Sequence, residues 1–251
     1  MKKLSKFINL ILPIITFGAI FLIWSVASAI IDSEYLLPSV RQTLNALFLL
    51  LKGKEFYISF AHTFLRSIIS FALSFALGFL LAFLRSRIPL LKRVIEPFVG
   101  VIRALPTIAV ILLLLFWTNS KIAPIIVTMI VVFPTSYTHL YSAFASVEKG
   151  AVEAGMVDGA NGKQLFAFIE FPQIAPIFFE AIGSGISLNF KLMVAAEVLA
   201  QTAKSLGYML NTSKVYFEIA QMMALVLVAV AVSVLIEFIF NKISARTGDW
   251  R

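Results

Sequence analysis

Residues 219–240 read IAQMMALVLVAVAVSVLIEFIF, an apolar run interrupted only by Gln221, Ser233 and Glu237. A helix rises about 1.5 Å per residue and the hydrocarbon core of a bilayer is about 30 Å thick, so roughly 20 such residues cross it. Each central Leu, Ile, Phe or Val favours insertion by roughly 0.3–0.6 kcal/mol, and a single Glu near the end of the run is tolerated. The segment reads as a membrane-spanning helix that inserts unaided.

Working outward from it, comparable stretches lie at residues 8–31, 63–84, 94–117, 122–144 and 177–200. The whole chain shares the bias: 60% of its 251 residues are hydrophobic and 14% charged, against roughly 45–50% and about 25% in soluble domains. No polar stretch is long enough for a separate globular unit, so one membrane domain is expected over residues 1–251, with a core over 60–241. The expected fold is all-α, with six transmembrane helices. Residues 32–62 are too polar to span, yet Val40, Leu44, Leu47, Phe48 and Leu51 recur at helical spacing after Pro38, as in an amphipathic helix lying on the outer membrane surface or against the bundle.

The formal charge of +8 would suit a nucleic-acid partner only if it lined one solvated surface; instead the basic residues cluster between apolar runs. Six spans with a cytoplasmic N-terminus put Lys2, Lys3, Lys6, Arg85, Arg87, Lys92, Arg93, Lys149, Lys163, Lys242, Arg246 and Arg251 inside. The smaller set Arg41, Lys52, Lys54, Lys121, Lys204 and Lys214 falls outside, with Arg66, Arg103 and Lys191 within spans. The positive-inside rule favours this topology, with both termini cytoplasmic. Lys2, Lys3 and Lys6 followed by Ala27-Ser28-Ala29 also fit a cleavable signal. The apolar run between them exceeds the usual length of about 7–15 residues for such a signal, which favours a retained helix. With no cysteine in the chain, disulfides, thiolate metal sites and thiol chemistry are excluded.

The loop between the fourth and fifth spans, residues 147–172, carries the functional signal. It includes Glu153-Ala154-Gly155-Met156-Val157-Asp158-Gly159 and continues to Ile169-Glu170-Phe171-Pro172. Its pattern predicts two short helices over residues 147–156 and 162–168, turned at Gly159 and Gly162 and stopped before Pro172. Glycine permits positive φ at such a corner, and proline cannot continue a preceding helix. An exposed helical knob results.

These residues resemble the coupling motif of bacterial ABC importer permeases. Glu153, Ala154, Gly159, Ile169 and Pro172 match in register, whereas Gly155 replaces a second Ala and Phe171 a Leu. Gly155 is expected to loosen the helix by roughly 0.5–1 kcal/mol relative to Ala. Arg103-Ala104-Leu105-Pro106, Ala196-Glu197-Val198-Leu199 and Leu206-Gly207-Tyr208 are similar to the nitrate, taurine and sulfonate branch. The likeness covers nearly the whole chain. It implies the MetI-like permease fold in a bacterial inner membrane, a homodimer of permeases, two cytoplasmic ATPase subunits and an extracytoplasmic substrate-binding protein. ATP and Mg2+ would be bound by the partner ATPase, and this chain would carry no cofactor and no catalysis. Indeed no Gly-x-x-x-x-Gly-Lys-Ser/Thr loop exists; Gly162-Lys163 is followed by Gln164.

Ionisable residues inside a membrane are functional suspects, because each costs roughly 2.5–3.5 kcal/mol at a helix centre on insertion scales. Arg66, Glu96, Glu180 and Glu237 lie near span ends and can snorkel. Arg103, Lys191 and Glu197 lie deeper. Arg103 either pairs with Glu197 or Glu96, or offers with Lys191 a positive site for an anionic substrate such as a sulfonate, taurine or nitrate, on a path to which Thr135, Ser136, Asn189 and Glu197 also belong. Phe190, Trp117 and Tyr137 could instead line a path for a vitamin or pyrimidine-type precursor. His62 and His139 have no Cys or spaced acidic partner for a metal site. Gly183, Gly185 and Ser187 suit close helix packing in the fifth span. A membrane-embedded enzyme would need convergent acid, base or metal groups that these scattered residues do not supply. An ion channel would need no knob.

Overall fold

The computed structural model describes residues 2–248. Among them the chain is helical, in the order α1 (Lys2–Ile31), α2 (Val40–Lys52), α3 (Lys54–Arg87), a short turn of 3-10 helix at Pro89–Leu91, α4 (Lys92–Ala104), α5 (Thr107–Trp117), α6 (Ala123–Ala145), α7 (Lys149–Val157), α8 (Gly162–Gln164), a π-helical turn at Leu165–Glu170, α9 (Phe171–Ala200), α10 (Leu206–Val215) and α11 (Ile219–Gly248). A bilayer offers backbone groups no water, so every amide must bond within its own segment, and helices satisfy that demand.

Four helices among the described residues are long and apolar enough to cross a membrane: Lys54–Arg87, Ala123–Ala145, Gly162–Ala200 and Ile219–Thr247. The expected third span, residues 94–117, is not one rod. α4 and α5 meet at 90°, because Leu105, placed before Pro106, is extended at φ −67° and ψ 125°. The proline ring crowds the helical region of the residue before it and brings no N–H, so the helix ends there. Counted as a single broken span, this pair brings the total to five. The first expected span is helical as α1, and its described apolar part is Gly18–Ile31. The side chains of Lys2, Lys3 and Lys6, and Arg251 as a whole, lie outside the described residues, and with them that part of the orientation argument.

The second and fifth spans run longer than their hydropathy. α3 continues from Lys54 because nothing breaks it before Ile88-Pro89. Besides Phe56 and Phe71, its buried residues are Ser59, Thr63, Ser67, Ser70, Ser74, Gly78 and Ala82, a spacing of three or four that marks one side of a helix. These small side chains let α6 and α9 approach closely. A Cβ on Gly78 would lie 2.9 Å from the Tyr137 backbone nitrogen. On α9, Gly183 and Gly185 do the same work, since a Cβ would sit 2.4 Å from Phe240 Cβ and 2.5 Å from Phe71 Cε2. Phenylalanines fill the wider gaps: Phe75, Phe79, Phe83, Phe144 and Phe178 form a chain of edge-to-face and tilted pairs between α3, α6 and α9.

α2 is the amphipathic segment expected after Pro38. Ser39 caps it, accepting from the Gln42 amide while the Gln42 side chain accepts from the Ser39 amide. Thr43 and Leu50 are buried, and Leu44, Phe48, Leu49 and Leu51 are exposed. Trp24 Nε1 and Ser28 Oγ of α1 donate to the carbonyls of Pro38 and Leu37 at 3.0 and 3.1 Å, pinning the turn that leads into it.

Replacing Gly78 by Val places atoms against backbone that cannot rotate away. It should lower stability by about 1–3 kcal/mol, read as a drop in the thermal unfolding midpoint of the purified protein. Gly100→Ala, where nothing lies within 4 Å, should leave that midpoint unchanged or raise it.

Candidate functional site

The knob between α6 and α9 is fixed by bonds from its backbone amides to carbonyls and to capping side chains. At its start the Glu148 amide donates to Gln173 Oε1 at 2.9 Å, tying the head of α7 to the first turn of α9. At the far end of α7 the amides of Gly159 and Ala160 donate to the carbonyls of Met156 (3.1 Å) and Gly155 (3.0 Å). This paired closure requires a left-handed residue, and Gly159 supplies it at φ +82°. The return is capped by Asn161, whose Oδ1 accepts from the amides of Lys163 and Gln164 while Gln164 Oε1 accepts from the Asn161 amide. Glu153 and Ala154 are exposed on the outer surface of α7. Met156, Val157 and Phe168 stand out beside them, Val157 with 87% of its surface free.

Gly155 is buried, and a Cβ there would meet Ile169 Cδ1 at 2.5 Å and Leu165 Cδ2 at 2.8 Å, so α7 packs closely on the returning helix of the knob. One expectation about the knob needs correction: Pro172 does not stop a helix. The second helix of the knob passes through the π turn at Leu165–Glu170 directly into α9, with the Phe171 amide donating to the Phe166 carbonyl. A π turn widens the helix by one residue. Widening here gives the Pro172 ring room against the preceding turn, where an α-helix would bring it onto a carbonyl. The knob and the fifth span are thus one continuous helical body.

A second tie joins this body to α3. Both guanidinium nitrogens of Arg87 meet the two carboxylate oxygens of Glu170, one of them at 2.8 Å. Glu170 is 4% exposed, so the fork-to-fork geometry satisfies a charge with almost no access to water. Two residues earlier, Arg85 donates to Glu96 and to the Tyr137 hydroxyl, each at 2.6 Å, and stacks on the Tyr141 ring at 3.6 Å. Between these groups and α7 lies a cleft of about 630 Å³ lined by Arg87, Lys92, Lys149 and Glu153 among others. Sequence reasoning used Arg85 and Arg87 only as inside charges for orientation and gave no role to Glu170. The available signal was a lone acidic residue inside the otherwise apolar run leading into Pro172.

The expected pathway residues do not share one surface. Arg103 is exposed and donates to Thr138 Oγ1 and to the Pro134 carbonyl (3.2 Å). It pairs with neither expected carboxylate, because Glu96 is taken by Arg85 and Glu197 by Arg66. Thr135 is half-buried, whereas Ser136 is buried beside Gly78 with no hydrogen-bond partner for its Oγ. Asn189 is fully buried and bridges α9 to α3, its Nδ2 donating to the Ser67 carbonyl at 2.6 Å and its Oδ1 accepting from Ser70 at 3.4 Å. Lys191 is half-exposed, 3.7 Å from Glu237, which also accepts from Ser187 at 2.5 Å. The open space in this region is an apolar cleft of about 440 Å³ between α5, α6 and α9, with Thr107 and Thr128 as its polar edge.

Glu197 sits at the heart of a buried cluster. It accepts from Thr63 Oγ1 at 2.7 Å and from Arg66 at 2.8 Å, with the Gly207 amide at 3.5 Å. A Cβ on Gly207 would lie 2.4 Å from Glu197 Cβ, so the Leu206-Gly207-Tyr208 and Ala196-Glu197 stretches meet in space. Arg66, read from sequence as a snorkelling residue, turns inward instead. Hydropathy gives a residue's depth along the helix and says nothing of the direction it faces.

The chain belongs to the family described as binding-protein-dependent transport system inner membrane component, whose profile matches residues 74–247. It is therefore a permease of a binding-protein-dependent ABC importer, a multi-pass membrane protein of the MetI-like fold. It is 21% identical over 234 residues to the taurine transport system permease protein TauC of Escherichia coli K12, covering 90% of this chain and 84% of that one. It is 24% identical over 134 residues to the riboflavin transport system permease protein RibX of Chloroflexus aurantiacus, about half of each chain at 53% and 50%. Among solved structures, an inward-facing form of the MetNI methionine ABC transporter superposes with a TM-score of 0.62 at 19% identity, covering 83% of this chain and 95% of that one.

Removing Arg66 would strand the carboxylate of Glu197, which is wholly buried. Arg66→Ala should therefore destabilise the protein by about 3–5 kcal/mol, measured by thermal unfolding in detergent. The double variant Arg66→Met/Glu197→Gln should recover most of that loss.

Proposed function

We propose that two copies of this chain enclose a transmembrane pathway and that the knob transmits the ATP-driven motion of a separate ATPase to it. The observation that carries this reading is the bracing of the knob: α7 is hydrogen-bonded at both ends and the return helix is continuous with α9. Glu153, Ala154, Gly155, Gly159, Ile169 and Pro172 build that unit, with Glu153 and Ala154 on its exposed side. A body with no slack conveys displacement instead of absorbing it. The Arg87–Glu170 pair passes the same displacement to α3.

In this reading the knob faces the cytoplasm, as do both termini, and each copy docks on one of two ATPase subunits that bind ATP and Mg2+. The exposed Met156, Val157 and Phe168 offer the apolar contact that a docking groove would bury. Closure of the ATPase pair favours a pathway open to the outside, where a substrate-binding protein delivers its ligand, and hydrolysis restores the inward-open form. The chain itself performs no covalent chemistry.

The substrate class proposed is a small anion such as a sulfonate, taurine or nitrate. The likeness to the taurine permease over nine-tenths of the chain supports it, as does the exposed position of Arg103. A second reading, import of a vitamin, draws on the likeness to the riboflavin permease. Uptake of labelled taurine and of riboflavin by cells carrying the importer separates the two.

Gly159→Pro tests the coupling. Proline holds φ near about −65° and has no N–H, so it can neither adopt +82° nor donate to Met156. The variant should insert normally yet lose ATP-driven uptake, and undiminished uptake would count against docking through the knob.

A further inference from the structure

The end of the molecule opposite the knob carries a basic cup that the coupling mechanism does not use. Its cavity, about 350 Å³, is lined by His62, Leu65, Arg66, Lys121, Ala203 and Lys204. On α3, residues 62, 65 and 66 share one helix face by their spacing of three and four. Lys121 stands in the turn between α5 and α6, where Asn119 Oδ1 accepts from the amides of Lys121 and Ile122 at 3.0 and 3.1 Å. Lys204 stands in the link between α9 and α10.

That link is held in place at some expense. Gln201 and Lys204 both adopt the left-handed region, at φ 49° and 53°, each costing roughly 1–2 kcal/mol for a residue with a Cβ. Three bonds enforce the conformation: the Thr202 amide donates to the Glu197 carbonyl (3.1 Å), Thr202 Oγ1 to the Ser120 carbonyl (2.5 Å) and Ser205 Oγ to the Thr202 carbonyl (2.6 Å). The Thr202–Ser120 bond joins the two turns that present Lys204 and Lys121. Strain of this kind persists only where surrounding structure over-determines it.

The charges of the cup are not balanced. Among the described residues, Glu197 is the one carboxylate that contacts a lining residue through an ion pair; it is wholly buried and bound to Arg66, Thr63 and Gly207. Lys121 and Lys204 make no ion pair among the described residues. A concave wall with two ammonium groups that lack ion pairs focuses positive potential on a small volume, while the charge of Arg66 is offset by Glu197. The space suits a small anion and not a protein surface, which needs about 800 Å² per partner for a stable contact.

We propose that this cup is an entry site for the substrate's anionic group, a sulfonate or carboxylate, with Lys121 and Lys204 supplying the charge and Arg66 and His62 further polar contacts. The proposal rests on the importer reading for its placement on the side from which substrate arrives. Binding here is weak, because a deep well would hold the substrate back from the pathway.

The test is chemical footprinting of the full-length permease in phosphatidylcholine nanodiscs, without ATPase or binding protein. Acylation rates of individual lysines by an amine-reactive reagent are followed by mass spectrometry as ethanesulfonate is titrated, with tetramethylammonium chloride at matched ionic strength as control. Ethanesulfonate should slow acylation of Lys121 and Lys204 severalfold and saturably, with Lys54 and Lys214 unaffected. Lys121→Gln should weaken the protection of Lys204 severalfold. Equal slowing by the chloride salt, protection of Lys204 untouched by Lys121→Gln, or protection that appears only when phosphatidylglycerol replaces part of the lipid would overturn the proposal, the last assigning the cup to a lipid headgroup. Because no nucleotide is involved, failure here leaves the coupling reading standing, and failure of the Gly159→Pro test leaves this one standing.

Discussion

The seam of small residues along α3 is the constraint from which the rest of the architecture follows. In lipid, helices gain nothing from hiding apolar surface from water, so they associate through close packing and hydrogen bonds. Ser59, Thr63, Ser67, Ser70, Ser74, Gly78 and Ala82 leave one side of α3 nearly free of bulk, and α6 and α9 move into that space. Once the backbones are close, short polar side chains reach across. Ser70 meets Thr128 at 2.6 Å on α6, and Asn189 on α9 reaches the Ser67 carbonyl. The phenylalanines then fill what remains toward the knob.

Charge obeys the same economy of space. Arg66 with Glu197, and Arg87 with Glu170, each bring a guanidinium of α3 onto a carboxylate of the α9 body, near opposite ends of their contact. These pairs contribute little net stability compared with apolar residues of equal volume, since desolvation offsets most of the attraction. Their effect is to fix register: a slip of either helix by one residue would strand four charges. That register aligns the knob with α3 at one end and the basic cup with the α9–α10 link at the other.

The knob itself was visible in the sequence because its determinants are local. Gly159 at the corner and the exposed Glu153 and Ala154 are set by residues a few positions apart, and their spacing survives any tertiary arrangement. Its joinery was not visible. Gly155 reads as a weak helix former until Leu165 and Ile169 are seen packed against it, and Pro172 reads as a stop until the π turn before it makes room.

Sequence alone determined that this chain lives in a membrane, where most of its helices run, and that it carries the knob of an importer permease. Those conclusions depend on transfer free energy and on backbone breakers, which act residue by residue. Tertiary structure decided which charges meet, that Asn189 and Ser136 serve helix contacts, that Arg103 stands apart from Glu197, and that α4 and α5 part at a right angle. Each of those depends on the rotation of a helix about its axis and on what its neighbour presents at that height, and hydropathy along a single chain records neither.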